Sequence, residues 1–203
     1  MSDLAVGDDG ITRCPWPGSD PLYLDYHDTE WGHPVLSDAG LYERVALEGF
    51  QAGLSWITTL RKREAFREVF AGFDPTTVSR FGDREVRRLL DDARIIRNRA
   101  KIRAAINNAS RALELSAEFG SVAAFLARYA DFARQAPASL GDIPAITEGS
   151  KGLSRDLKAR GWSFVGPTTM YALMQAVGLV NDHLDGCHAR AASEESRGAW
   201  RVV

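Results

Sequence analysis

Residues 161–169 read GWSFVGPTT and contain the clearest local signals of how two helices are joined. Gly161 can end one helix in the left-handed conformation, and Pro167 suits the first turn of the next helix. The pattern predicts two helices joined by a glycine-containing hairpin over about residues 154–177. Backbone N–H groups at the start of the second helix would point out of this turn, where they could hold an anion such as a phosphate. Many helical hairpins contain Gly and Pro, so an ordinary interhelix turn explains this stretch equally well.

Hydrophobic residues recur at helical spacing along most of the chain, whereas convincing alternating strands are absent. Ser37 begins one predicted helix, and Glu48 lies on the apolar stripe of that helix. The sequence predicts one all-α domain over residues 1–203. Residues 1–11 and 190–203 are expected to be loosely held, because they are polar and rich in small residues. Further helices are predicted over residues 63–71, 75–81, 83–91, 97–118, 121–135, 154–160 and 167–177.

The composition is that of an ordinary globular protein, with 45% apolar and 26% charged residues among 203. No apolar run approaches the ~20 residues that a bilayer-spanning helix needs. The acidic start, MSDLAVGDDGITR, lacks the basic and apolar regions of a secretory signal. These features predict a cytoplasmic monomer with no membrane association, in a compartment where thiols stay reduced.

A net charge of −2 gives no overall indication of a nucleic-acid partner, but one short segment is strongly basic. A local strip of this kind can hold a few phosphates. A solvated helix face is the more common explanation of such a run. Arg97 and Lys101 are the candidate DNA contacts in this segment, whose basic residues are Arg94, Arg97, Arg99, Lys101 and Arg103.

Each end of the chain supplies one cysteine and one histidine, which makes a four-ligand zinc site possible. His183 and Cys187 are four residues apart, the spacing of one helical turn, and Cys14 precedes His27 by thirteen. Structural zinc sites are built from four such nitrogen and sulfur ligands. Two unconnected buried thiols remain an alternative, as does a disulfide, which the cytosol disfavours.

Glu48 is unusual because it lies on the apolar face of its helix. A lone buried carboxylate costs several kcal/mol or takes up a proton. A Glu that bends to solvent or pairs with an arginine is the common alternative. Four aromatic residues could instead form a pocket around it, and an acidic group in an aromatic pocket suits a flat cation. These aromatic residues are Trp16, Tyr26, Trp31 and Trp56.

Four blocks of the sequence resemble, in order, the signature blocks of the bacterial 3-methyladenine DNA glycosylase I family. They are CPWPGSDPLYLDYHDTEWG, LEGFQAGLSWITTLRKRE, ARIIRNRAKI and FVGPTTMYALMQAVGLVNDHLDGC, and they span residues 14 to about 188. The resemblance implies an all-helical fold of the helix–hairpin–helix glycosylase superfamily. It also implies one zinc ion that fastens the two chain ends without taking part in the chemistry.

The family's functional positions all carry matching residues in this chain. The resemblance places the base-recognition carboxylate at Glu48. It places the pocket aromatic residues at Trp16, Tyr26 and Trp56, the zinc ligands at Cys14, His27, His183 and Cys187, and the DNA-holding hairpin at residues 164–169, including Gly166, Thr168 and Thr169.

The implied activity is monofunctional excision of 3-methyladenine, and possibly 3-methylguanine, from alkylated double-stranded DNA. An ionised Glu48 would accept hydrogen bonds from the adenine edge and favour the cationic base. Relatives in the superfamily carry a catalytic Asp after the hairpin, but here Asn181 takes that position and Asp182 is displaced by one residue. A non-catalytic module that binds alkylated DNA is the main alternative, and a zinc-stabilised helical interaction protein is a third.

Overall fold

The computed structural model describes residues 3–203, and most of them form helices. Two short strands, β1 (Ala5–Val6) and β2 (Thr12–Arg13), precede the helices. The α-helices are α1 (Pro21–Thr29), α2 (Asp38–Gln51), α3 (Trp56–Leu60), α4 (Arg63–Val69), α5 (Pro75–Val78), α6 (Asp83–Asp91), α7 (Arg99–Phe119), α8 (Val122–Ala127), α9 (Glu148–Ala159), α10 (Pro167–Ala176) and α11 (Arg190–Ser196). Short 3-10 helices cover Ala71–Phe73, Leu140–Asp142 and Arg197–Arg201. No helix within residues 3–203 is long and apolar enough to cross a membrane.

Side-chain caps set where several helices begin. The Ser37 hydroxyl accepts a hydrogen bond from the Gly40 N–H, as the predicted start of α2 requires. Asn98 caps α7 in the same way, so that helix begins two residues after the predicted position. Helix α8 differs more from its prediction, because it ends at Ala127 rather than near residue 135.

The expectation of loosely held ends is wrong for the C-terminal segment. Residues 190–201 form α11 and a 3-10 helix. Trp200 is buried and donates from its indole N–H to the Val177 carbonyl at 2.8 Å. Arg197 is also buried, and its guanidinium donates to the carbonyls of Gly178 and Leu179. These two side chains satisfy the carbonyls that follow α10.

The N-terminal segment also has more order than the sequence indicates. Strands β1 and β2 pair antiparallel, with Ala5 opposite Arg13 and Val6 opposite Thr12. Arg13 then anchors the hairpin through short hydrogen bonds to the Asp28 carboxylate at the end of α1. Residues 1–2 of the expected loose tail lie outside the described part of the chain.

Helix α2 lies at the centre of the protein, where it contacts α3, α7, α8 and α10. Every residue from Leu41 to Phe50 is buried, so this helix has little polar face left for solvent. At its C-terminal end, the Lys101 ammonium donates to the carbonyls of Phe50 and Ala52, at 2.9 and 2.6 Å. A cation at this end satisfies carbonyls that the helix leaves free.

Helices α9 and α10 form the predicted helical hairpin, joined by residues 160–166. Gly161 adopts the left-handed conformation with φ +81°, as expected from its position after α9. Phe164 also has a positive φ of 58°, which is uncommon for a residue with a bulky side chain. Close packing accompanies this conformation, since a Cβ placed on Gly49 of α2 would lie 3.3 Å from the Phe164 Cβ. The hairpin therefore rests directly on α2.

Candidate active site and metal centre

An aromatic cavity of about 220 Å³ lies between the N-terminal segment, α2 and α10. It collects the aromatic residues that the sequence predicts for a pocket, and it places them around Glu48. Its lining consists of Trp16, Tyr23, Tyr26, Trp31, Glu48, Gln51, Trp56, Ile143, Ala172 and Gln175.

The aromatic walls support one another through edge and tilted contacts. Trp16 packs edge-on against Tyr23 and Trp31, with ring centroids 4.9 and 5.1 Å apart. Tyr26 lies 5.4 Å from Trp56 across a tilt of 45°. The indole N–H of Trp56 is buried and has no hydrogen-bond partner in the described chain. The walls are thus apolar faces that carry one unpaired donor.

Glu48 projects into this cavity from the middle of α2. It is only 4% exposed, and its carboxyl group makes no hydrogen bond with any residue from 3 to 203. Burial raises the pKa of Glu48 to about 8, and the nearby charge of Arg44 only partly counteracts this. Burial therefore favours the protonated form of Glu48 near neutral pH, and a further positive charge beside the carboxyl group would favour the ionised form.

Three polar cavity residues were not among the candidates predicted from sequence: Tyr23, Gln51 and Gln175. Helical spacing could have indicated two of them. Tyr23 is three residues before Tyr26 on α1, and Gln51 is three residues after Glu48 on α2, so each pair shares a helix face. Gln175 comes from α10, and only the packing of α10 against α2 brings it to the cavity.

The four predicted metal ligands meet at one buried cluster. Their ligand atoms all lie within 4.8 Å of one another. The Cys187 sulfur is 3.6 Å from His27 Nε2 and 3.6 Å from His183 Nδ1, and the Cys14 sulfur is 3.9 Å from His183 Nδ1. Sulfur and nitrogen ligands of a tetrahedral zinc ion lie about 3.5 Å apart, so the donor set and its spacing fit a metal ion.

Contacts behind the two histidines orient their rings. His27 Nδ1 meets Asp28 Oδ1 at 2.7 Å, and His183 Nε2 meets the Trp31 carbonyl at 3.0 Å. In each ring the other nitrogen is therefore the one that faces the cluster. Partners of this kind fix the tautomer and orientation of metal-binding histidines.

The two thiols of the cluster are coupled. A hydrogen bond from Cys14, with further contacts from His183 and His27, holds the pKa of Cys187 below that of a free thiol, and the same contact together with burial raises the pKa of Cys14. The thiolate is the form of cysteine that binds metals. Together the four residues could hold one metal ion between the two ends of the chain.

Comparison with known proteins agrees with this arrangement. A family model described as methyladenine glycosylase matches residues 16–191. The chain belongs to the methyladenine glycosylase family.

Two relatives match this chain over nearly the whole of their own length. DNA-3-methyladenine glycosylase 1 of Escherichia coli (strain K12) is 46% identical over 179 residues, which is 87% of this chain and 96% of that protein. DNA-3-methyladenine glycosylase of Haemophilus influenzae is 42% identical over 184 residues, 89% of this chain and 99% of that protein.

Solved structures of methyladenine glycosylases share the fold. A crystal structure of 3-methyladenine DNA glycosylase I has a TM-score of 0.82 at 47% identity, covering 87% of this chain and 98% of the other. The Staphylococcus aureus enzyme, solved to explain 3-methyladenine recognition, has a TM-score of 0.83 at 34% identity, covering 88% and 96%.

In this methyladenine glycosylase, Asn181 and Asp182 are engaged with neighbouring protein groups. The Asn181 amide donates to the Arg190 carbonyl and to Glu194. Asp182 is buried in an ion pair with Arg134, and neither residue lines the aromatic cavity. Their positions agree with the prediction that neither carries the chemistry, which remains a prediction.

Two residues of the predicted DNA-holding hairpin line a hollow next to the aromatic cavity. Gly166 precedes α10, and Thr168 and Thr169 occupy its first turn. Both threonines line a second hollow of about 160 Å³ that also includes Glu48. A phosphate held at this helix start would therefore lie beside the cavity that contains Glu48.

The two basic candidates differ from each other. Arg97 is exposed, and its side chain has no hydrogen bond or ion pair in the described residues. Lys101 is buried, with its ammonium on the carbonyls of Phe50 and Ala52. Lys101 thus supports the end of α2 in this structure, which differs from the phosphate contact that the sequence predicts for it.

Proposed function

We propose that the protein is a monofunctional DNA glycosylase that excises 3-methyladenine from alkylated double-stranded DNA and acts as a monomer. The observation that carries this proposal is a buried, unpartnered carboxyl group, Glu48, inside an aromatic cavity. The family relatives named as 3-methyladenine glycosylases support it. The hairpin of α9 and α10 is consistent with the helix–hairpin–helix glycosylase fold.

Recognition follows from charge. Alkylation at N3 makes adenine a cation, and a cation over aromatic faces is attracted by their quadrupoles. Glu48 then gains a positive neighbour, which favours its carboxylate form over the protonated form that burial alone favours. Trp56 and Tyr26 can stack on the extruded base, each contact contributing ~1–3 kcal/mol. A neutral, undamaged base supplies no such charge, so Glu48 would stay protonated and the charge attraction between the base and the carboxylate would be absent.

The enzyme needs only modest chemical assistance to break the bond. Extruding the nucleotide costs a few kcal/mol, less for a damaged base. The cationic base is a good leaving group, so the bond between C1′ and N9 breaks as N9 takes the bonding electron pair. Water then adds at C1′ and loses a proton to solvent, which leaves an abasic site and free 3-methyladenine.

Backbone N–H groups at the start of α10, near Thr168 and Thr169, would hold a phosphate of the strand. Their position beside the Glu48 cavity supports this role. Arg97 adds an exposed, unpaired charge for a further phosphate contact. These contacts would be independent of sequence, because phosphates position a protein without specifying bases.

We further propose that Cys14, His27, His183 and Cys187 hold one structural zinc ion. Four protein ligands would leave no open position for water, which distinguishes a structural zinc from a catalytic one. When bound, the ion would cross-link the chain segment of Cys14 and His27 to that of His183 and Cys187. No step of base excision depends on it.

The test is incubation with methylated DNA followed by chromatography of the released bases. Release of 3-methyladenine but not 7-methylguanine is expected. Glu48→Gln, an isosteric change that removes the negative charge, should lower release at least a hundredfold while preserving DNA binding. Tight binding to methylated duplex without any released base would instead identify a non-catalytic binding module.

A further inference from the structure

Asp182 is the centre of a buried hydrogen-bond network beside the aromatic cavity. Its Oδ1 pairs with Arg134, and its Oδ2 accepts from the Tyr171 hydroxyl at 2.5 Å and from Gln175 Nε2 at 2.8 Å. The Asp182 side chain is wholly shielded from solvent. Tyr171 and Gln175 are four residues apart on α10, so one helix face presents both donors to the same carboxylate.

This network fixes the orientation of the Gln175 amide. The two ends of a glutamine amide are distinguished by their hydrogen-bond partners. A carboxylate facing Arg134 offers only acceptors, so Gln175 must turn its NH2 group toward Asp182. Its carbonyl oxygen, Oε1, consequently points away from Asp182, and it has no hydrogen-bond partner within residues 3–203.

Gln175 also lines the aromatic cavity, as Glu48 does. The cavity lining therefore includes the Glu48 carboxyl group from α2 and, from α10, a Gln175 amide whose hydrogen-bonded NH2 group leaves its oxygen as the free acceptor. An exocyclic amine carries two N–H donors, enough for two acceptors. A carbonyl oxygen at the same place on the ring would face Gln175 Oε1 with no hydrogen to share, and both oxygens would lose their hydration.

We propose that Gln175 is a specificity-determining residue whose amide oxygen accepts a hydrogen bond from the exocyclic amine of the excised base. This inference rests on the proposed function, since it assumes that the cavity binds a methylated adenine. Asp182 acts through Gln175 as a positioning residue. The pair makes the cavity select a 6-amino over a 6-oxo purine.

The selectivity is tested with two free bases, 3-methyladenine and 3-methylhypoxanthine; in the second an oxygen replaces the exocyclic amine and one ring nitrogen carries a hydrogen. Their affinities are measured by quenching of the cavity tryptophans. The wild-type protein should bind 3-methyladenine more tightly. Gln175→Met, which keeps the volume and removes the acceptor, should reduce that preference about tenfold. A preference within twofold of wild type would overturn the assignment.

Gln51→Met is the matched control, because Gln51 lines the same cavity but its amide has no fixed partner in the described residues. It should weaken both bases in the same proportion. A loss of preference equal to that of Gln175→Met would overturn the special role of the Asp182-oriented amide. A merely structural role for Gln175 would also weaken both bases equally, which counts against the inference.

The excision assay separates this inference from the proposed function. If wild-type protein releases 3-methyladenine while Gln175→Met leaves the preference for 3-methyladenine over 3-methylhypoxanthine unchanged, only the specificity inference fails. If the preference depends on Gln175 but methylated DNA releases no base, the proposed excision fails and the binding specificity stands.

Discussion

The side-chain amide of Asn108 forms two hydrogen bonds with the backbone of Ser163. Its Nδ2 donates to the Ser163 carbonyl and its Oδ1 accepts from the Ser163 N–H, both at 2.9 Å. Asn108 is 3% exposed and lies on α7, whereas Ser163 lies in the turn between α9 and α10. One buried side chain thus holds the hairpin next to the positive-φ residue Phe164.

Replacing Asn108 with Ala should therefore destabilise the protein by about 1–3 kcal/mol, since it leaves both backbone groups of Ser163 without these partners. Chemical denaturation measures the loss. The neighbouring Asn107→Ala is the control: Asn107 donates to the Gly161 carbonyl from an exposed position and should cost less than about 1 kcal/mol. Equal losses in the two variants would show that the buried amide has no special role.

The pKa of Glu48 makes stability depend on pH in a defined direction. The folded value of about 8 lies above the ordinary value of 4.5, so the proton is held more tightly in the folded state. The protonated carboxyl favours folding below about pH 4.5, and this advantage is lost as the pH rises to 8. Glu48→Gln should therefore become progressively more stable than wild type over that interval.

The upper limit of that difference is about 4–5 kcal/mol. Thermal melts of both proteins at pH 5, 7 and 8.5 measure it. Melting temperatures that differ by the same amount at all three pH values would contradict a buried, proton-holding Glu48.

If the cluster of Cys14, His27, His183 and Cys187 binds zinc, removing the ion should lower the melting temperature, because the cross-link between the two chain segments is lost. Elemental analysis is expected to find about one zinc per chain, and a chelator should lower the melting temperature. Cys14→Ser should lose the metal, melt at a lower temperature than wild type, and respond little to the chelator. A wild-type melting curve unchanged by the chelator, in protein with no bound zinc, would exclude the structural metal.

Arg97→Ala should lower the affinity for DNA by a similar factor whatever the base sequence of the DNA. If Arg97 contacts a phosphate, its loss should reduce the slope of log affinity against log salt concentration by about 1. Arg94→Ala removes the same charge three residues away, but Arg94 is already paired with Glu68 and Asp92. That control should leave the slope nearly unchanged, and an equally unchanged slope for Arg97→Ala would remove Arg97 from the interface.

Asp182→Asn should keep most excision activity and lose stability. The substitution removes the buried ionic partner of Arg134, whose side chain is itself partly exposed, so we expect a loss of about 1–3 kcal/mol of stability. The rate of 3-methyladenine release under single-turnover conditions should stay within about tenfold of wild type. A variant that folds and binds DNA but releases no base would assign the chemistry to Asp182 and not to Glu48.

The site residues that could be predicted from sequence are those whose chemistry is unusual for their position in the sequence. A glutamate on an apolar helix face, and two Cys–His pairs in a chain with only two cysteines, are visible as anomalies. The structure places Glu48 in the aromatic cavity and gathers the four metal candidates. The hairpin was equally accessible, because Gly161 and Pro167 mark its boundaries locally.

The features that sequence missed depend on distant contacts. Nothing in the sequence distinguishes Gln175 from other polar residues of α10, because its orientation depends on the hydrogen bond to Asp182. Trp200 and Arg197 are buried because carbonyls after α10 need donors, which a polar and small-residue-rich tail does not reveal. From sequence, Lys101 is one more charge in a basic run, because nothing local shows that the folded chain places the end of α2 beside its ammonium group.

The Cys–His cluster joins positions far apart in the chain, since Cys14 and His183 are separated by 169 residues. Two walls of the cavity pack against its histidines: the Trp16 ring lies 5.0 Å from His27, and the Trp31 ring lies 4.6 Å from His183. During synthesis from the N-terminus, Trp31 meets His183 only when nearly the whole chain has emerged. A nascent chain that ends between residues 175 and 182 would therefore contain every lining residue of the cavity but lack His183, against which one of its walls packs.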